Sequence, residues 1–182
     1  MATREVLSPA KRASLFKLPE NLSERELARH YTLSEVDLNF IARHRGSQNR
    51  LGLAVQLCLL RFPGRGLIAT DPVPQSVIAY LAKQVHAQSS DFSLYLKGRE
   101  ATHSNHFREI KKQYGFRLFN EEETIKKNLA SWLLPYTMGI NHALSLVSLI
   151  LTEMRARKIV IPGASVVEAF VWEVISPFVA RQ

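Results

Sequence analysis

Acidic residues are missing from a long stretch of this chain. Between positions 38 and 70 there is no Asp or Glu, while Arg43, Arg45, Arg50, Arg61 and Arg65 all fall inside it, so a polyanion would meet no repulsion there. Cysteine is almost absent as well: Cys58 is the only one, which excludes an intramolecular disulfide and a cysteine-based zinc site and suits a reducing cytosol. Alternating apolar and polar strand patterns are nearly lacking. No apolar run is long enough to span a bilayer, since the longest, 140–151, is interrupted by Asn141, His142, Ser145 and Ser148. The first 20 residues lack the continuous apolar core of a secretory signal. The expectation is a soluble, cytoplasmic protein.

What is present points to a folded, basic, helical chain. With 182 residues and 46% hydrophobic content there is enough apolar material for a core. The formal charge of +8 and a pI near 9.9 favour a polyanionic partner, because clustered Lys and Arg displace the counterions condensed on phosphates. Residues 1–70 hold 11 basic and 6 acidic side chains, residues 71–182 hold 13 and 10, so the N-terminal part is the stronger electrostatic candidate.

Apolar spacings of three and four recur throughout, and the fold class expected is all-α: one or more helical bundles containing helix-turn-helix units. Ser8 before Pro9 opens a helix to about 17, and Ser23 with Glu26 and Ser165 with Glu168 have the spacing of capping boxes. Ser34, with Glu35 and Asp37, starts a helix through about 43, and a second runs from about 48 to 61. Further helices are predicted over 74–85, 92–96, 99–114 (ended by Gly115), from Asn120 as a cap with Glu121–Glu123 in the first turn, over 140–157 and over 164–179. The Pro- and Gly-rich segment 63–74 is the best candidate linker, giving two expected subdomains, 1–66 and 72–182.

The chemistry-bearing constellation is the helix pair 34–43 and 48–61 around a tight turn with Gly46, the spacing of a helix-turn-helix unit. Its second helix would be the recognition helix. Ser47, Gln48, Asn49 and Arg50 in the first turn suit base edges, since Gln and Asn pair bidentately with adenine and Arg with guanine. Arg43, His44, Arg45 and Arg61 flank them as phosphate contacts. The plainer alternative is a Ser47 N-cap followed by a solvated first turn, with Arg43 and Arg61 merely complementing helix dipoles.

These residues resemble a known family. HYTLSEVDL at 30–38 and RGSQNRLGLAVQLCLLRFPG at 45–64 are similar to the N-terminal region of transposases from replicative class II transposons of the Tn-three type. Arg45, Gly46, Asn49, Arg50, Leu51, Gly52, Gln56, Leu57, Cys58, Arg61, Phe62, Pro63 and Gly64 carry the match. It continues more weakly through Tyr114, Gly115 and Phe116 and through Ile161, Pro162 and Glu168. Leu53 and Leu59 stand where relatives often have aromatics, and His44 where a second basic residue is common.

The resemblance implies a DNA-binding segment of a larger bacterial, nucleoid-associated transposase. It would recognise double-stranded DNA at the terminal inverted repeats, with no cofactor of its own. Such enzymes carry their catalytic acidic triad in an RNase-H-like, DDE-type domain far downstream, so this segment would not be an enzyme. Downstream transposase domains are the expected protein partners, and a homodimer is left open. A helical protein-interaction module, or a stand-alone repressor derived from a transposase, remains an alternative.

Weaker signals lie further on. Arg108, Lys111 and Lys112 share one side of the 99–114 helix and could make a second DNA contact or simply form a solvated face. His103 and His106 are three apart but lack a third metal ligand at a characteristic spacing, so no metal site is expected. Trp132 and Trp172 fall on apolar stripes, and Cys58 reads as core.

Overall fold

A computed structural model describes residues 7–68, 71–139 and 143–179. Among them the chain is essentially all-α, with ten helices and two strands of two residues each. The helices are α1 (Pro9–Phe16), α2 (Glu24–Tyr31), α3 (Glu35–Ala42), α4 (Ser47–Arg61), α5 (Gln75–Gln84), α6 (Asp91–Leu96), α7 (Glu100–Tyr114), α8 (Glu123–Thr137), α9 (Ala143–Ala156) and α10 (Ala164–Val179). Strand β1 (Arg117–Leu118) pairs in parallel with β2 (Ile159–Val160), an element with no alternating pattern to announce it. Residues 140–142, expected to open α9, lie outside the described residues.

Two compact units emerge: Leu18–Phe116, and the segments Met1–Lys17 and Arg117–Gln182 taken together. The segment 63–74, expected to be a linker, falls inside the first of these rather than between them. Its physical role is visible. Pro63, Gly64 and Arg65 are buried, Gly64 takes a φ of 104° that only glycine adopts readily, and the Arg65 guanidinium pairs with Asp71. At 63–65 the Pro and Gly composition marks packed backbone.

In the 18–116 unit, α4 is the central helix. Every residue from 51 to 60 is buried, which a helix apolar on all sides requires, and α2, α3, α5, α6 and α7 pack against it. Each of its fully covered leucines contributes roughly 1.5–3 kcal/mol. Gly52 is forced by close packing: a Cβ there would stand 2.3 Å from the Tyr95 ring of α6. The capping boxes at Ser23 and Ser34 are both formed, and Gly115 ends α7 in the left-handed conformation.

In the other unit, α8, α9 and α10 pack on one another around Leu129, Leu133, Val147, Ile150, Met154, Val167 and Val171. Helix α1 supplies Leu15 and Phe16 to that core, and its Arg12 forms a bidentate pair with Glu168 at 2.7 and 3.0 Å. That pair replaces the capping box expected at Ser165: Glu168 is buried and committed to Arg12. Likewise Asn120 does not cap α8. The helix starts at Glu123 with Glu122 at the cap position, and the Glu121 carboxylate instead accepts from the Leu118 amide at 2.8 Å.

Candidate nucleic-acid interface

Helices α3 and α4 are joined by the turn 43–46, which ends on Gly46 at φ 85°. No side chain caps α4, and Gly46 rather than Ser47 occupies the N-cap position. A Cβ on Gly46 would meet the Gln48 side chain at 3.0 Å, so Gln48 folds back over the turn. Asn49 Nδ2 donates to the Arg45 carbonyl at 2.9 Å, and Arg50 Nη1 donates to the His44 carbonyl at 3.5 Å. The four side chains 47–50 are half-buried, whereas Arg43 and Arg45 are exposed.

The turn is anchored to α7 through His44. Its Nε2 donates to the Glu109 carboxylate at 2.7 Å, and its ring contacts Phe40 and His106 edge-on, with centroids at 5.6 and 5.2 Å. His44 Nδ1 is buried without a hydrogen-bond partner. On α7, Arg108 and Lys112 are exposed and Lys111 is half-buried; Arg108 donates to the Asn105 side chain. Four exposed cations, two on the turn and two on α7, therefore flank the His44–Glu109 bond in sequence.

Arg61 is used differently. Its guanidinium grips both oxygens of buried Asp37 at 2.7 and 2.8 Å and lies 5.0 Å from the Tyr114 ring centroid, while the Tyr114 hydroxyl donates to Asp37 at 2.8 Å. Burial would raise the Asp37 carboxyl, but hydrogen bonds from Arg61, the Ser34 amide and Tyr114 outweigh it and hold the group well below the usual carboxylate range. Burial first, and the bond to Asp37 second, push the Tyr114 hydroxyl up to about 12. Arg61 thus closes α3, α4 and α7 together, and its charge is already neutralised within the fold.

A second buried network runs beneath the turn. Gln56 Nε2 donates to the Tyr95 hydroxyl at 2.6 Å and to the His103 carbonyl at 3.1 Å, and Tyr95 shares a 3.0 Å hydrogen bond with His106 Nδ1. His103 Nε2 donates to the Tyr95 carbonyl at 2.7 Å. His103 and His106, three apart on α7, are therefore both bound to Tyr95. Burial pushes the Tyr95 hydroxyl and the Cys58 thiol up to about 12 each, which leaves Cys58 a core residue. Burial, reinforced by the neighbouring His44, lowers His106 below its ordinary value.

Sequence reasoning missed Asp37, Tyr95, Glu109 and Tyr114 as partners, because pairs 24, 39, 65 and 77 positions apart leave no local signature. Gln56 did carry a signal: an amide inside an apolar helix must be paired.

A family model described as Domain of unknown function (DUF4158) matches residues 6–174. The chain belongs to that family. It is 33% identical to the transposase for transposon Tn1546 of Enterococcus faecium over 170 residues, 93% of this chain and 17% of that protein. It is also 33% identical to the transposase for transposon Tn501 of Pseudomonas aeruginosa over 176 residues, 97% of this chain and 17% of that protein. With the transposase for transposon Tn21 of Escherichia coli the identity is 34% over 169 residues, 92% and 16% of the two chains. The chain thus spans under a fifth of the length of these Tn-three-type relatives and corresponds to an N-terminal segment of them.

Within this DUF4158 chain, most of the residues that carry the resemblance are scaffold. Gly52 and Gln56 meet Tyr95, Arg61 holds Asp37, Cys58 is core, and Gly64 makes the loop. The two quoted segments also touch: His30 stacks on Phe62 with centroids 3.8 Å apart, and the Tyr31 hydroxyl donates to the Phe62 carbonyl at 3.3 Å. No helix among the described residues is long and apolar enough to cross a membrane.

Proposed function

We propose that this chain is the end-binding part of a transposase, and that its 18–116 unit binds duplex DNA at the terminal inverted repeats of a transposon. The observation that carries the reading is the set of exposed cations Arg43, Arg45, Arg108 and Lys112, on a turn and a helix tied together by His44 and Glu109. Relatedness to transposases supplies the biological setting.

The mechanism is division of labour. Buried α4 does not enter a groove along its length; it fixes the turn at its N-terminus. The exposed cations, with Lys111 beside them, contact phosphates and set position. Ser47, Gln48 and Asn49 are the residues offered to base edges, and a bidentate pair from Gln48 or Asn49, once turned outward, is worth about 1–3 kcal/mol of discrimination at its base pair. Arg61 contributes by locking the helices that present this surface. Strand cleavage and joining belong to the remainder of such a transposase.

Binding is measured by fluorescence anisotropy on the transposon's end sequence and on scrambled duplex over a salt series. Five phosphate contacts give a slope of log affinity against log salt of roughly −4 to −5. Replacing Arg43, Arg45, Arg108 and Lys112 with Ala should abolish most of that slope. Retention of tight, salt-sensitive binding by this variant would reject the surface.

A second reading applies to the other unit. Leu134, Tyr136 and Met138 are exposed, Met138 at 77%, which favours a docking role toward later transposase domains. Co-purification of the chain with a downstream fragment, lost on Leu134→Ser with Met138→Ser, tests it.

A further inference from the structure

Between α3, the first turn of α4 and the C-terminal end of α5 lies an open recess of about 390 Å³. Half-buried Arg50 lines it, with exposed Asn39 and His86, against apolar walls that include Ile41 and Val85. No carboxylate lines it. Gln84, the other polar group present, is spent: its Oε1 accepts from the Leu33 amide and its Nε2 donates to the Tyr31 carbonyl, both at 2.8 Å. Arg50 is the opposite case. Among the described residues its side chain makes one hydrogen bond, the 3.5 Å contact to the His44 carbonyl, and no ion pair. Such a distance is at the edge of hydrogen bonding, so most of the donors of this fork remain for a ligand.

His86 adds a second clue, since it holds a φ of 54°, in the left-handed region that side chains other than glycine, Asn, Asp and His seldom adopt. Its imidazole lines the recess with Arg50 and Asn39. Arg65 and Arg61, the other arginines of the acid-free stretch that lie beyond the first turn of α4, both have carboxylate partners. Arg50 does not.

We infer that this recess binds a single oxyanion, a phosphate of the DNA backbone, gripped by Arg50 and flanked by Asn39 and His86. The inference rests on the DNA-binding reading above and changes the role of Arg50 within it. A planar guanidinium matches two phosphate oxygens. Arg50 then sets the register of the protein on the duplex without reading sequence.

The test uses the full chain with Arg50→Gln, Asn39→Ala and His86→Gly, the last chosen because glycine accepts the backbone conformation. Arg50→Gln should weaken end and scrambled duplex alike by about 10-fold and reduce the salt slope by about 1. Inorganic phosphate, titrated alone, should shift the NMR signals of residues 39, 50 and 86 in the wild type and not in Arg50→Gln. A loss confined to one base pair with an unchanged slope would make Arg50 a base reader and overturn the inference, as would unaltered binding. If Arg50→Gln fails to fold, unaltered duplex affinity in both other variants overturns it. If the wild type binds no duplex at all, the DNA reading fails, while the phosphate titration still decides the recess on its own.

Discussion

The two units solve the problem of building a core in different ways. Among the described residues, the 18–116 unit buries Asp37, Gln56, Arg65 and His106, whereas the unit built on α8, α9 and α10 buries one such side chain, Glu168. A buried polar group costs stability unless it is paired, so the first unit gives up tolerance to substitution for fixed geometry: Asp37–Arg61–Tyr114 and Gln56–Tyr95–His106 each connect helices at one defined distance. The second relies on apolar packing that accepts more variation. A surface meant to match the spacing of phosphates needs the first kind of support.

Substitutions that sharpen this contrast can be ranked by expected effect. Gly52→Ala comes first. Helix propensity alone would favour Ala by about 1 kcal/mol, but its methyl would collide with the Tyr95 ring at 2.3 Å, and overpacking of this kind costs about 3 kcal/mol. The expected outcome is a net loss of about 2 kcal/mol or more in denaturant unfolding, with hydrogen exchange rising in α4 and not in α9; a stabilised variant would refute the close packing.

Next are the ion pairs. Asp37→Ala leaves Arg61 without its partner and removes the acceptor of Tyr114, a loss of about 3 kcal/mol, at the low end for buried pairs because the Arg61 side chain is 35% exposed. Glu168→Ala in the other unit frees only Arg12 at 34% exposure, and about 2 kcal/mol is expected. Equal losses, measured by chemical denaturation, would erase the distinction between the units.

Acid should then separate them. His106 has a depressed folded value, so its contribution is complete above its ordinary 6.5 and is lost as pH falls through the folded value. Asp37 is depressed too, so its contribution is complete above 3.8 and disappears only in stronger acid. Stability of the 18–116 unit should fall in two stages on acidification, the first absent in His106→Gln and the second in Asp37→Asn. Hydrogen exchange at pH 7, 5.5 and 3 resolves both stages, and a single common loss across the whole chain would contradict the assignment.

The smallest effect on folding is expected at the proposed surface. Arg43→Ala and Arg108→Ala should change stability by less than about 0.5 kcal/mol while lowering duplex affinity. Lys127→Ala, whose i,i+4 partner Glu123 is exposed, should alter neither quantity appreciably. Parallel losses of folding and binding in the first two variants would mean that those arginines are scaffold like Arg61.

Much of the chain was legible before any coordinates. The all-α class, the capped starts at Ser8, Ser23 and Ser34 and the stop at Gly115 follow from local rules, because caps, glycine conformation and the 3.6-residue period act within a few positions. The acid-free arginine stretch was equally plain. What those rules could not supply was the job of each arginine, since charge count is a property of composition and pairing is a property of space. Arg61 and Arg65 found carboxylates, Arg50 met only a carbonyl, and Arg43 and Arg45 stayed exposed. The same limit explains why 63–74 resembled a linker and why 48–61 resembled a groove-inserted helix: turn chemistry and apolar periodicity describe a segment's own shape, while burial on every side depends on which distant helices close over it.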